Sequence, residues 1–515
     1  MRTALVAGVA AWMILGAPAQ AQMVSVALNA DIRSTNPGVN RDDNTDGVVL
    51  HMIEGLVAYR ENGGVAPLLA ERYDIAPDGK TYTFRLRDGV RFHNGAAMTS
   101  AEALWSWRRY LDPKTDWRCL PDLDGRNGLK IEAVEAPDQR TIVMRINQPS
   151  ALFLDTLSRT DCGMGGILHP DSVGPDGAWK QPVGTGPYMM GPWQRGQHVT
   201  LNRFEGYVSP PGDTPDGYVG RKRPLAASVR FVVIPDAAAG RAAVLSGAID
   251  VAELQDTDVA EMRKNPAVEV VTAPTANKHT FLLQTRDPLI GNVHLRQAIA
   301  AALDLPEIVA SVSSGLGTPN GSAVFAGSPF YDDVQRAGYG RDLERVKQLL
   351  KQANYKGEVI RILCNRRTSV PSYPAALIAQ AQLQEAGINA ELEVLEWATQ
   401  LDRYNRGNYQ MQSFTFSARV DPAQSYEQFM GPKDRQPRKI WDDPEAQAML
   451  ERASITSDEA ERRRLFQDLH RRQLAQTPLI FLYNGVEANA MSRRVRGFRS
   501  WALAKPRLWE VEVVR

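Results

Sequence analysis

Side chains capable of covalent or metal chemistry occur in this chain, but their spacing does not assemble them. A serine nucleophile on a sharp elbow needs G-x-S-x-G. A zinc protease needs H-E-x-x-H, and a phosphate-binding loop needs G-x-x-x-x-G-K-[ST]. None of these patterns is present, and the seven histidines are scattered with no pair at metal-ligand spacing. His93, within Arg91 to Gly95, reads as a turn residue rather than a ligand. Gly163, Gly165 and Gly166 follow no strand–helix phosphate loop and read as a tight turn. The arginine runs 462–464 and 471–472 fall on a long charged helix and read as a solvated face. The expectation is a protein without catalytic residues, metal or cofactor.

Three cysteines remain, Cys119, Cys162 and Cys364. An odd count leaves one unpaired. Cys119 and Cys162 share the N-terminal region and are expected to pair in an oxidising compartment. Cys364 reads as a small buried residue.

The elements that must position any site are legible in places. Tyr82, Phe84 and Leu86 alternate with Thr81, Thr83, Arg85 and Arg87, the period of a strand with one buried face. Asp78-Gly79 and Asp88-Gly89 bracket it with turn chemistry. Thr99 and Glu102 form a T-x-x-E capping box ahead of Ala103, Leu104, Trp107 and Leu111, and Asp112-Pro113 stops that helix. Residues 129–147 predict a hairpin with Pro137-Asp138 in its turn. Residues 229–234, 267–272 and 279–284 predict strands, and Ala237 to Leu245 a helix. Over 342–395 helix and strand alternate twice, with Gly387 at a helix C′ position. The Pro- and Gly-rich stretch 208–224 reads as a surface loop. Such alternation predicts α/β domains with mixed sheets.

At 515 residues, 43% hydrophobic and 23% charged, the chain predicts a globular protein of two or three domains. A net charge of +1 gives no field that would favour nucleic acid or an acidic membrane. Arg2, the apolar run Leu5 to Leu15 and Ala19-Gln20-Ala21 read as a cleaved secretory signal over 1–21, with the mature chain starting at Gln22. No cysteine lies at the cleavage site, so a free periplasmic protein is expected rather than a lipoprotein.

The run from Leu68 through Pro113 resembles the signature of the extracytoplasmic solute-binding proteins of the dipeptide, oligopeptide and nickel class, family 5. Further segments resemble that family in the same order: VGTGPYMM at 183–190, LNRFEGYV at 201–208, GAIDVAEL at 247–254, HLRQAIAAALD at 294–304 and the closing stretch 495–513. The resemblance implies a type II periplasmic binding protein of the large cluster, with two α/β lobes joined by two crossings and closing on a solute. Lobe I would be 22–275 with 480–515, carrying an added subdomain at about 56–182, and lobe II would be 276–479. The crossings would lie near Pro274–Lys278 and Thr477–Leu482. It also implies a monomer that delivers a peptide or peptide-like solute to an ABC permease in the inner membrane.

Site residues follow from the same resemblance. Arg366, or Arg367 beside it, matches the arginine that pairs with the ligand's carboxylate, for which a planar guanidinium fork is suited. Trp397 matches a pocket tryptophan, Phe416 falls near an aromatic wall, and Arg41 lies in the cleft-facing loop of the first lobe. The acid that holds a peptide's ammonium group in relatives aligns with Ala418 or Arg419, neither of which is acidic, and Asp421 could replace it only after a loop shift. An anionic solute such as an opine, a sugar-phosphate conjugate or another organic acid is therefore an alternative ligand. A secreted hydrolase and an extracytoplasmic chaperone are the alternatives of other classes.

Overall fold

The computed structural model describes residues 22–39, 42–367, 370–456 and 458–514. The expected signal segment and Arg41 lie outside the described residues.

A ten-stranded mixed sheet runs through the molecule in the order Ala390–Val394, Ile360–Cys364, Met411–Phe416, Val268–Leu283, Leu479–Ser492, Val251–Glu253, Met23–Leu28, Ser228–Val233, His198–Arg203, Tyr188–Gln194. Met23–Leu28 pairs in parallel with Ser228–Val233, and Ile360–Cys364 in parallel with Ala390–Val394. At the centre, Val268–Leu283 and Leu479–Ser492 are long antiparallel partners. The strands expected at 267–272 and 279–284 are thus one element. Its register with the partner is broken between Pro274 and Lys278, opposite Val486 and Asn484. Pro274 has no N–H to give to a ladder, so the pairing slips where the sequence suggested a gap.

A separate antiparallel sheet, ordered Ala70–Ile75, Thr81–Leu86, Thr141–Ile146, Ile131–Asp138, carries the helix Ser100–Leu111 on its apolar face. Tyr82, Phe84 and Leu86 are buried as their alternation requires, and the Thr99–Glu102 capping box is formed. The hairpin turn differs from expectation. Pro137 and Asp138 end the strand, and the turn is Gln139-Arg140. The Asp138 carboxylate selects it by accepting from the Arg140 N–H at 2.7 Å and the Thr141 hydroxyl at 2.8 Å.

Apolar burial ties distant segments together. Met491, Val495, Phe498, Leu508 and Val511 pack with Val24, Val26 and Phe231, which seats the C-terminal segment on the N-terminal strand. A second core of Phe281, Ile299, Ile362, Ala379 and Leu482 lies at the other end of the large sheet. No helix among the described residues is long and apolar enough to cross a membrane.

Candidate functional site

The loop that leaves Ile360–Cys364 opens where the strand's carboxyl end meets the next helix, the usual place for a ligand in an α/β sheet. Asn365 is buried there and ties the loop down, bonding the Ser372 hydroxyl at 3.3 Å and the Gln400 carbonyl at 2.7 Å. Its own side-chain carbonyl accepts from the Arg367 N–H at 3.2 Å. Two exposed guanidiniums leave this anchor over aromatic faces. Arg366 lies 4.3 Å from the Tyr373 ring centre, and Arg367 lies 3.8 Å from that of Trp397. Trp397 opens the helix Trp397–Arg406 and stands 5.7 Å from Phe414. The structure therefore brings Arg366, Arg367 and Trp397 into one cationic, aromatic patch. Phe416 lies beneath the loops, 5% exposed, among Tyr404, Phe414 and Phe429.

After Met411–Phe416 the chain turns through Ala418 and Arg419. Ala418 is half-buried against an apolar cluster that includes Val420, Phe325 and Trp501. The Arg419 guanidinium donates to the Ala418 carbonyl at 2.7 Å and has no carboxylate in ion-pair contact among the described residues. Burial, and then the nearby Arg159, push its pKa down. Asp421 is committed elsewhere. It caps Pro422–Glu427 through the Ala423 N–H at 2.8 Å, and its two oxygens accept from Arg462 Nη2 at 3.1 and 2.8 Å in a buried ion pair. Its carboxylate is therefore not available to an incoming ammonium group in this arrangement.

Apart from Tyr59, the groups facing Arg419 come from 118–161, a set with little signal in the sequence. Arg159 bonds Asp122 at 2.6 Å and Asp161 at 2.9 Å, and Arg118 reaches Asp161 at 3.1 Å and Asp46 at 3.6 Å. Burial pushes the Asp161 carboxyl up, but Arg159, Arg419 and Arg118 outweigh it and hold it well below the usual carboxylate range. Asp46 goes the other way, to about 7, because burial outweighs Lys505 and Arg118. Cys119 and Cys162 form a disulfide with their Cα atoms 5.8 Å apart, as expected. The one available sequence signal for this wall was that Arg118 and Asp161 each precede a cysteine. The two sulfurs and Asp161 lie close together, yet the disulfide consumes both thiols and leaves no thiolate pair for a metal.

Under Arg419 lies Lys278, 1% exposed, in the strand Val268–Leu283 where pairing resumes after its break. Its ammonium donates to the Ala276 carbonyl at 3.0 Å, with a longer 3.4 Å contact to the Arg419 carbonyl. Burial, then Arg419, lower its pKa to about 7. Beside this region a cavity of about 550 Å³ is lined by Tyr73, Tyr82, Asp155, Phe330, Asp421 and Arg462. Burial, then Asp421, raise the Asp155 pKa well above the ordinary value. Cys364 is buried and unpaired.

Residues 64–437 match the sequence profile of the bacterial extracellular solute-binding proteins, family 5 Middle. The chain belongs to that family. This solute-binding protein is 24% identical over 495 residues to the Probable D,D-dipeptide-binding periplasmic protein DdpA of Escherichia coli K12, covering 92% of this chain and 91% of that one. Among solved structures, HbpA2 from Haemophilus parasuis superposes with a TM-score of 0.81 at 23% identity, over 96% of this chain and 100% of that one. AgaA of A. tumefaciens R10, solved with agropinic acid, gives 0.73 at 24% identity, over 96% and 99%. Both share the periplasmic binding protein fold with this chain, and family 5 proteins bind solutes rather than transform them.

Proposed function

We propose that this solute-binding protein is the receptor of an ABC importer, taking a peptide or peptide-like solute between two closing lobes and passing it to the membrane permease. The reading is supported by two charged groups from distant parts of the chain, linked through the interaction of Arg419 with Arg159 and Asp161. One is Arg118, Arg159 and Asp161, and the other is Arg366, Arg367, Trp397 and Arg419. The paired strands at the centre of the large sheet are suited to serve as the two crossings, with the register break as the point of bending. On this reading one lobe is 22–275 with the C-terminal segment, and the other begins at 276. The second crossing then falls at Asn484–Val486, a few residues beyond the Thr477–Leu482 expected from sequence.

The protein would act outside the cytoplasmic membrane as a monomer, after removal of 1–21. N-terminal sequencing of the exported chain should begin at Gln22. Hydrolysis is disfavoured by the one histidine placed beside a hydroxyl in this region. His279 Nδ1 is 2.9 Å from Thr415 Oγ1, but the ring is stacked on Tyr483 and bonded to no acid among the described residues. Burial lowers its pKa to about 4, which makes it a weak base.

A receptor for an anionic solute is the second reading, favoured by Arg366, Arg367 and Arg419, which have no carboxylate in ion-pair contact among the described residues. AgaA, solved with agropinic acid, supports that class. Mass spectrometry of solute retained through native purification tests both readings. Against the solute so identified, Arg366→Ala should weaken binding by about 2–5 kcal/mol if its charge pair is desolvated on closure. A loss under about 0.5 kcal/mol by calorimetry would return Arg366 to the role of an exposed loop arginine.

A further inference from the structure

Lys278 is an ammonium taken wholly out of water, and among the described residues no carboxylate is in ion-pair contact with it. Its partners are two backbone carbonyls, Ala276 O and Arg419 O. Its strand neighbours across the ladder are Phe416 and Asn484, neither of which carries charge. The next residue, His279, turns to Tyr483 and Thr415. Among the described residues the charged group that perturbs it is Arg419, half-buried and without a carboxylate in ion-pair contact. Arg419 in turn faces Arg159, Asp161, Tyr59 and Asp122 on the opposite wall. Of these, Asp161 and Asp122 are already bonded by Arg159 and Arg118. A second cation beside a buried one raises its cost, and an isolated buried cation is retained only if something compensates it. No carboxylate of the chain does so as an ion pair among the described residues.

We propose that Lys278 and Arg419 form an anion subsite, and that an acidic group on the solute completes it as the lobes close. The inference rests on the solute-receptor reading and assigns the polarity of one end of the ligand. The solute end that meets the loop 417–421 carries a carboxylate or another oxyanion, not an amine. Arg419 would contact that group and Lys278 would act from below, holding the loop carbonyl and adding charge. Asp421 cannot reverse the polarity while it caps a helix and pairs with Arg462.

The test uses a mixture of dipeptides in three N-terminal forms, free, acetylated and succinylated, captured by the full mature protein and read by native mass spectrometry. The wild type should enrich the succinylated set over the acetylated set by about tenfold or more. Lys278→Met and Arg419→Gln should bring that ratio toward one. Lys433→Met is the control, because this buried lysine bonds Gln284 and Thr285 and lines a different cavity, with Arg286 and Arg403, and should leave the ratio unchanged. A wild-type ratio near one, a preference for free amines, or ratios indifferent to both substitutions would overturn the subsite. Capture of none of the three sets would count against the peptide-like solute alone. The same four proteins are then melted in sodium sulfate and in sodium chloride at matched ionic strength. Sulfate stabilisation that disappears in Lys278→Met and Arg419→Gln but persists in Lys433→Met supports the subsite on its own, and an equal response in all four refutes it.

Discussion

Lys222 and Lys278 are both fully buried, and the protein treats them in opposite ways. Lys222 meets Glu54 at 2.9 Å and lies 4.4 Å over the ring of Trp509. Glu54 also accepts from the Tyr207 hydroxyl at 2.8 Å and from Thr185 at 3.2 Å, so both charges have partners fixed by the fold. Lys278 has carbonyls only, beside a guanidinium. The first site is finished without a ligand and joins a loop of 208–224 to the helix-to-strand connection at Glu54. The second lies at the register break of the central strand, with no carboxylate paired to it among the described residues. Where a buried charge is left uncompensated, the missing charge points to what the molecule is built to receive.

The comparison is sharpest under mutation. Lys222→Met strands Glu54 in the core and should lower stability by about 3–5 kcal/mol, read from urea unfolding. Adding Glu54→Leu should recover most of that loss, because the penalty comes from the unpaired carboxylate. A cost under about 1 kcal/mol for Lys222→Met would erase the contrast between the two sites. Lys278→Met should instead stabilise the empty protein, by about 1–4 kcal/mol at pH 6. The sign of its pH dependence follows from the lowered pKa. Folded Lys278 releases its proton near 7 whereas the unfolded side chain holds it to its ordinary value, so wild-type stability rises between those two points. The advantage of Lys278→Met should therefore shrink steadily above pH 7. An advantage that grows with pH would mean that the ammonium is compensated in the folded protein.

Asp155 offers a third solution to burial, since its raised pKa means that a proton replaces a partner. Asp155→Asn, a neutral isostere, should change stability by less than about 1 kcal/mol at pH 4. Because the wild-type group loses stability as pH rises above the unfolded value of 3.8, the variant should gain on it between pH 4 and 8. Thermal unfolding at those two pH values measures the difference. An unchanged gap would mean that Asp155 is ionised throughout.

Local chemistry was legible in the sequence, and long-range burial was not. The strand Thr81–Leu86 and the Thr99–Glu102 box depend on residues within a few positions of one another, and they appear as read. Pro137-Asp138 looked like a turn, yet the side chain of Asp138 set the turn one step later. The sequence pattern splits the central strand because Pro274 and the polar run to Lys278 interrupt it, while the partner strand holds both halves together. The family resemblance points to Arg366, Arg367 and Trp397, and these three lie in one patch. Lys278 carried no signal at all, since a lysine in a polar stretch looks like surface until Phe416 and Asn484 are placed on either side of it. Glu54 and Lys222 are likewise 168 positions apart and meet only through the fold.

The disulfide sets an order of events. Cys119 and Cys162 directly follow Arg118 and Asp161, the pair whose contact shapes the wall opposite Arg419. Once the sulfurs are joined, that guanidinium and carboxylate stay neighbours whatever solute arrives, because each is one residue from the covalent link. Joining the two thiols thus holds the spacing of that guanidinium and carboxylate through a covalent link rather than through packing alone.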